Sequence, residues 1–196
     1  MSPQAWVSSM PIGCVLAGQL VAALCAGGLG ALFLVAGVAK LRAHDTFLGT
    51  LASYRLVPEG LYETAAWALA IAETCVAVLL FSGVGTVAGS LVAAALLCVF
   101  AGAMGVNVLR GRTDLSCGCT PGVEGKKLSW GLVLRTVLCA VVALAPCVVL
   151  ASVGGPAPAL WVQGVVGGVC VYLLWQAVQV LPPVRVPGSG VQEYGA

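Results

Sequence analysis

Charged side chains leave long gaps along this chain. None falls in residues 1–39, 74–109 or 136–184. A helix needs about 20 apolar residues to cross a ~30 Å hydrocarbon core. The first gap holds one such crossing. The second holds the end of one crossing and all of the next, and the third must turn back part-way. Ser82-Gly83-Val84-Gly85-Thr86 and Gly154-Gly155-Pro156-Ala157-Pro158 supply Gly- and Pro-rich breaks. The polar segments 40–60 and 110–128 supply the others. The pattern predicts five spans, at 17–39, 61–81, 86–108, 129–151 and 159–181. A closed β-barrel needs alternating polarity over many strands, and the unbroken Val/Ala/Leu runs lack it. The expected fold class is therefore all-α: a polytopic membrane helix bundle of about five helices.

Composition agrees with that pattern. The chain is 60% hydrophobic and only 8% charged, whereas a soluble domain carries about a quarter charged residues. This argues against a soluble enzyme, a disordered chain or a nucleic-acid binder, and the net charge of +2 is too small to imply a polyanionic partner. The expected surroundings are a lipid bilayer. The 26 glycines, which weaken helices in water, let helices approach closely in a bilayer. Ala22, Ala26, Gly30 and Ala31, with Gly164 and Gly168, are candidate packing positions, although ordinary membrane-helix composition reads the same way. No Lys or Arg precedes the first apolar run, so that run reads as a real span and not as a cleavable signal.

The basic residues set a topology. Lys40, Arg42, Arg55, Arg110, Arg112, Lys126, Lys127 and Arg185 fall in segments on one side of such a bundle, and none falls on the other. The positive-inside rule then puts the N-terminus outside and the C-terminus in the cytoplasm of a plasma (inner) membrane. Residues 1–181 read as the transmembrane domain, and 182–196, rich in Pro and Gly, as a disordered cytoplasmic tail.

Nine cysteines are many for this length, but most fall inside apolar helices, where a small buried thiol is the ordinary reading. Cys117 and Cys119 differ. They lie in a polar loop as Ser116-Cys117-Gly118-Cys119-Thr120-Pro121, flanked by Arg110, Arg112, Lys126 and Lys127. A disulfide between them closes a small, strained ring, which favours exchange over permanent stapling. The flanking cations favour the reactive thiolate. The same pair could instead bind a soft metal such as copper or mercury, or be incidental. A structural metal site is not expected, because no His stands nearby to complete it. Cys14 and Cys147, with Cys75, form a second candidate group, of outer thiols, on depth arithmetic alone.

Ionisable residues inside a membrane are candidates for function by default. Glu73 lies about 18 Å into the second span, where it could relay a proton or hold a neighbouring helix. Arg135 lies about 9 Å into the fourth span and can snorkel to its near end. Glu63 matches that depth better than Glu73 does and is the expected partner of Arg135. His44 and Asp45 read as surface residues. No phosphate loop, metalloprotease motif or hydrolase elbow occurs, and no quinone, flavin or other cofactor site is indicated.

Two segments taken together are familiar. The first carries Phe33, Gly37, Lys40 and Leu41, then Phe47, Tyr54-Arg55-Leu56-Val57-Pro58 and Ala70-Ile71-Ala72-Glu73. The second carries Arg110-Gly111-Arg112, Cys117-Gly118-Cys119 and Leu134-Arg135-Thr136. Over roughly residues 25–150 this order resembles the methylamine utilisation protein MauE family, part of the DoxX-like group of small four-to-five-helix membrane proteins. The resemblance implies maturation, disulfide formation or export of a disulfide-containing periplasmic client, the methylamine dehydrogenase small subunit, with a thioredoxin-like redox partner. It carries over Cys117 and Cys119 as the thiol pair, and Lys40, Glu73 and Arg135 as the family's charged positions. The chain departs from the family at Thr120-Pro121, where Phe-Gly is usual, and at Thr136, where Asn is frequent, which bears on the particular client. Two other classes stay open: a soft-metal membrane transporter and a non-catalytic membrane assembly subunit.

Overall fold

The computed structural model describes residues 11–115, 128–153 and 157–180. Within them the regular structure is helical: α1 (Ile12–Arg42), α2 (His44–Tyr54), a 3-10 turn at Glu59–Leu61, α3 (Tyr62–Ser82), α4 (Thr86–Leu109), α5 (Trp130–Val153) and α6 (Pro158–Val180). Five of these stretches are long and apolar enough to cross a membrane. Helices satisfy every backbone hydrogen bond internally, which is what a spanning segment must do in lipid. The predicted spans match these helices closely, but α1 begins five residues earlier than the expected 17. The polar stretch 40–60 holds a helix, α2, that its composition did not announce.

The helix ends follow local chemistry. Arg55 stops α2 in the left-handed region (φ 49), and Gly83 does the same after α3 (φ 74). Pro58 precedes the short turn that leads into α3. Pro146 sits fully buried inside α5 and removes one rung from its hydrogen-bond ladder. Membrane helices tolerate such a gap because neighbouring groups can satisfy the freed carbonyl.

α1 is the axle of the bundle. It packs against α6, α3 and α5, while α4 lies on α5 and more lightly on α3. Over the most apolar windows, 56% of α1 is buried, against 17% for α5 and for α6. Ala22, Ala23 and Ala26 are fully buried and open the core that Phe33, Leu80, Ala93 and Ala143 extend. Small residues permit this closeness. A Cβ on Gly27 would strike the Val165 carbonyl oxygen, one on Gly164 the Ala23 side chain, and one on Gly168 the Leu24 carbonyl oxygen. The predicted packing roles of Ala22, Ala26, Gly30, Ala31, Gly164 and Gly168 are thus realised, with all six buried. Trp161, at the head of α6, donates its indole N–H to the Phe81 carbonyl at 3.1 Å and so ties α6 to the end of α3.

The register fixes direction. Gly30 meets Phe81 and Gly37 meets Thr74, so α1 and α3 run antiparallel. Ala23 meets Gly164 and Leu24 meets Gly168, so α1 and α6 run parallel. Lys40, Arg42, Arg55, Arg110 and Arg112 accordingly gather at one end of the bundle. At that end Tyr54, Met104 and Leu128 form a second, smaller core with Leu115 and Leu132. The backbone N–H of Leu128 donates to the Thr113 carbonyl at 2.8 Å. This bond and the Leu115–Leu128 cluster join the two stems on which Cys117 and Cys119 are carried. Those two cysteines, with Lys126, Lys127, Arg185 and the expected tail, lie outside the described residues.

Candidate functional site

The strongest polar feature inside the bundle is an ion pair between α1 and α3. Lys40 donates from Nζ to both carboxylate oxygens of Glu73, each at 2.7 Å. Only 3% of Lys40 and 1% of Glu73 is exposed, so each charge depends on the other and not on solvent. The ammonium also lies 5.2 Å from the Phe47 ring centroid and 5.6 Å from that of Phe100, so α2 and α4 supply its remaining walls.

Side-chain direction explains why these two residues meet. A helical side chain leans toward the N-terminus of its own helix. α1 and α3 are antiparallel, so Lys40 leans into the bundle while Glu73 leans back toward the α2 end. Gly37 allows the approach, since a Cβ there would meet Thr74 Oγ1 at 2.7 Å and the Ala70 carbonyl at 3.2 Å.

Glu73 also lines a small cavity of about 50 Å³ to which all five spans contribute. Phe33 and Leu97 form its apolar back wall, and both are buried. Arg135, Thr136 and Cys139 from α5 face Tyr172 and Gln176 from α6 across it. These five are half-buried. Arg135 holds its guanidinium 5.4 Å from the Trp175 ring centroid. Thr136 spends its hydroxyl on the Leu132 carbonyl at 3.0 Å.

The expected Arg135–Glu63 pairing is not formed. Glu63 is exposed in the first turn of α3, whereas Arg135 sits on the α5–α6 side of the bundle. The physical reason is packing: α1 stands between them, and α3 makes its contacts with α1, α2 and α4. Lys40, expected only at the end of the first span, is the residue that answers Glu73.

His44 is no plain surface residue either: it stacks on Trp67 with 4.5 Å between ring centroids. Both of its ring nitrogens are buried without a hydrogen-bond partner. Cys14, Cys75 and Cys147 are free thiols. Cys14 and Cys147 share the end of the bundle opposite the basic residues, where Gly18 lies beside Val149. No cluster of three metal-ligating side chains occurs among the described residues.

Sequence reasoning missed Tyr172, Gln176 and Cys139. A signal was present, since Tyr172 and Gln176 are four residues apart and share a helix face, as do Arg135 and Cys139.

Comparison with known proteins complements this geometry. The family model of methylamine utilisation protein MauE matches residues 18–149. A methylamine utilization protein MauE of Paracoccus denitrificans is 37% identical over 139 residues, covering 71% of this chain and 73% of that protein. One from Paracoccus versutus is 34% identical over 163 residues, covering 82% and 88% respectively. One from Methylophilus methylotrophus is 43% identical over 84 residues, covering 43% and 44%. No solved structure matches the chain significantly.

Proposed function

The chain belongs to the methylamine utilisation protein MauE family, and from that membership we propose that it assists maturation of a disulfide-containing periplasmic protein in methylamine utilisation. It is a multi-pass membrane protein, placed by this reading in the plasma membrane with its N-terminus outside. The chemistry is assigned to Cys117 and Cys119. A thiolate attacks one sulfur of a disulfide, a mixed disulfide forms, and a second thiolate resolves it. One dithiol is oxidised for each disulfide reduced, so the exchange balances between the pair, a thioredoxin-like partner and the client.

The observation that carries this reading is the family match itself, whose range, residues 18–149, includes Cys117-Gly118-Cys119. Two structural features support it. The Leu128 N–H bond to the Thr113 carbonyl holds together the two segments that flank that loop in sequence. The buried Lys40–Glu73 pair ties α1 to α3 toward the same end. By the positive-inside rule that end faces the cytoplasm. Cys14 and Cys147, at the opposite end, are then the candidate outer thiols through which a periplasmic client is reached.

The test is a trapping experiment in cells that make the protein. A Cys119→Ser variant leaves Cys117 unable to complete exchange, and a Cys117→Ser variant does the reverse. One of the two is expected to accumulate a mixed disulfide with a thioredoxin-like protein or with the client, visible as a reducible shift on a gel and absent from the double variant. If neither variant traps an adduct, and the double variant still matures its client normally, thiol exchange is not what this loop does.

A further inference from the structure

α5 and α6 both pack on α1, yet they make little contact with each other. Their backbones therefore stand apart, leaving a cleft between them that side chains of both helices line, beside the small cavity. The mouth is polar. Arg135 and Cys139 stand on one lip, Tyr172 and Gln176 on the other, and the Trp175 ring lies under the guanidinium.

Charge at this mouth is unbalanced. Among the described residues that line the cavity the one carboxylate, Glu73, already has both oxygens on Lys40. Arg135 contacts an aromatic face but has no ion pair among the described residues. Lys40, Arg135 and Glu73 thus leave one positive charge over, at a site where water is scarce. Arg135 is five residues past Trp130, about 8 Å along the helix from its start. An arginine side chain reaches back over that distance toward the membrane interface.

We infer that the α5–α6 cleft holds the headgroup of an anionic phospholipid, with its phosphate on Arg135 and its acyl chains filling the space between the two helices. A phosphate suits the site on three counts. The guanidinium fork matches phosphate oxygens bidentately. The Tyr172 hydroxyl and the Gln176 amide add neutral donors on the facing helix. The cavity, about 50 Å³, admits a few waters or one phosphate-sized group, but no acyl chain, so the tails must stay in the cleft. An apolar helix from a partner would fill the cleft but leave Arg135 uncompensated. Basic pockets between transmembrane helices recognise anionic headgroups by this same combination of charge and depth.

The experiment uses the full chain purified in mild detergent. Phosphatidylglycerol and phosphatidylcholine are added at equal concentration, and bound lipid is counted by native mass spectrometry beside a thermal unfolding curve. Phosphatidylglycerol is expected to be retained about tenfold better than phosphatidylcholine and to raise the unfolding temperature. Arg135→Gln should abolish that preference and Arg135→Lys should keep most of it. Tyr172→Phe, a milder change, should weaken it without altering the unliganded unfolding curve. Equal retention of the two lipids, or an undiminished preference in both Arg135→Gln and Tyr172→Phe, overturns the inference. So does inorganic phosphate reproducing the thermal shift by itself, since that would make the occupant a soluble anion.

Discussion

Lys40 and Glu73 are costly residues to keep inside a membrane, and neither is tolerable alone. Removing one partner of a buried pair leaves an unpaired charge, at about 3–5 kcal/mol. Glu73→Gln and Lys40→Met should each destabilise the bundle by that order, read from unfolding in detergent. The double variant Lys40→Met/Glu73→Leu should recover most of the loss, because it removes both charges. If the double variant is as unstable as the singles, the carboxylate is needed for something other than pairing. The sequence showed both residues but not their meeting. Depth arithmetic set Glu73 about 18 Å inside the second span and matched it to nothing. Such arithmetic follows Cα positions, while long side chains lean several ångströms along the helix, and here the two lean toward each other. The Arg135–Glu63 expectation failed for a related reason: equal depth does not place two residues on facing sides.

At the scale of helices, glycine position sorts contact from open space. Gly168 lies against the Leu24 carbonyl oxygen and within 2.6 Å of the Gly28 nitrogen for an added Cβ, whereas Gly105 has nothing within 4 Å. Gly168→Ala should therefore force α6 away from α1 and cost about 1–3 kcal/mol. Gly105→Ala should be neutral or slightly stabilising, since alanine is the better helix former. Matched unfolding curves of the two variants check this, and equal losses would mean that the α1–α6 crossing is looser than its register implies. The five spans were legible because charge-free runs and Gly/Pro breaks are strong, local signals. The helix α2 was not, because His44–Tyr54 carries no membrane-length apolar run. It is held in place by what it packs on: Phe47 lies beside the Lys40 ammonium, and Tyr54 packs against Met104 and Leu128. The partners of Tyr54, Met104 and Leu128, are distant in sequence, which a local reading cannot supply.

For the molecule as a whole, the five spans gather the described loop cations at one end and leave Cys14 and Cys147 toward the other. If the positive-inside rule sets the orientation, a variant whose only cysteine is Cys14 should react with a membrane-impermeant maleimide in intact cells. A variant whose only cysteine is Cys119 should react only after the membrane is opened. The reverse pattern would turn the molecule over and put the Cys-Gly-Cys loop directly beside periplasmic clients. The half of the candidate site that the sequence displayed most plainly, the thiol loop, lies outside the described residues. The half that it hid, the polar cavity with Tyr172 and Gln176, is assembled from all five spans and exists only once they have packed.

The embrace of α1 by α6 also imposes an order in time. Of the five described spans, α1 leaves the ribosome before the others and α6 after them, yet Gly27 and Gly28 fit against Val165 and Gly168. Throughout synthesis of the intervening spans, the glycine face of α1 must rest against lipid or the insertion machinery. The axle is thus seated by a helix made after the other four described spans, and a nascent chain halted before residue 158 holds those four but not the one that locks them.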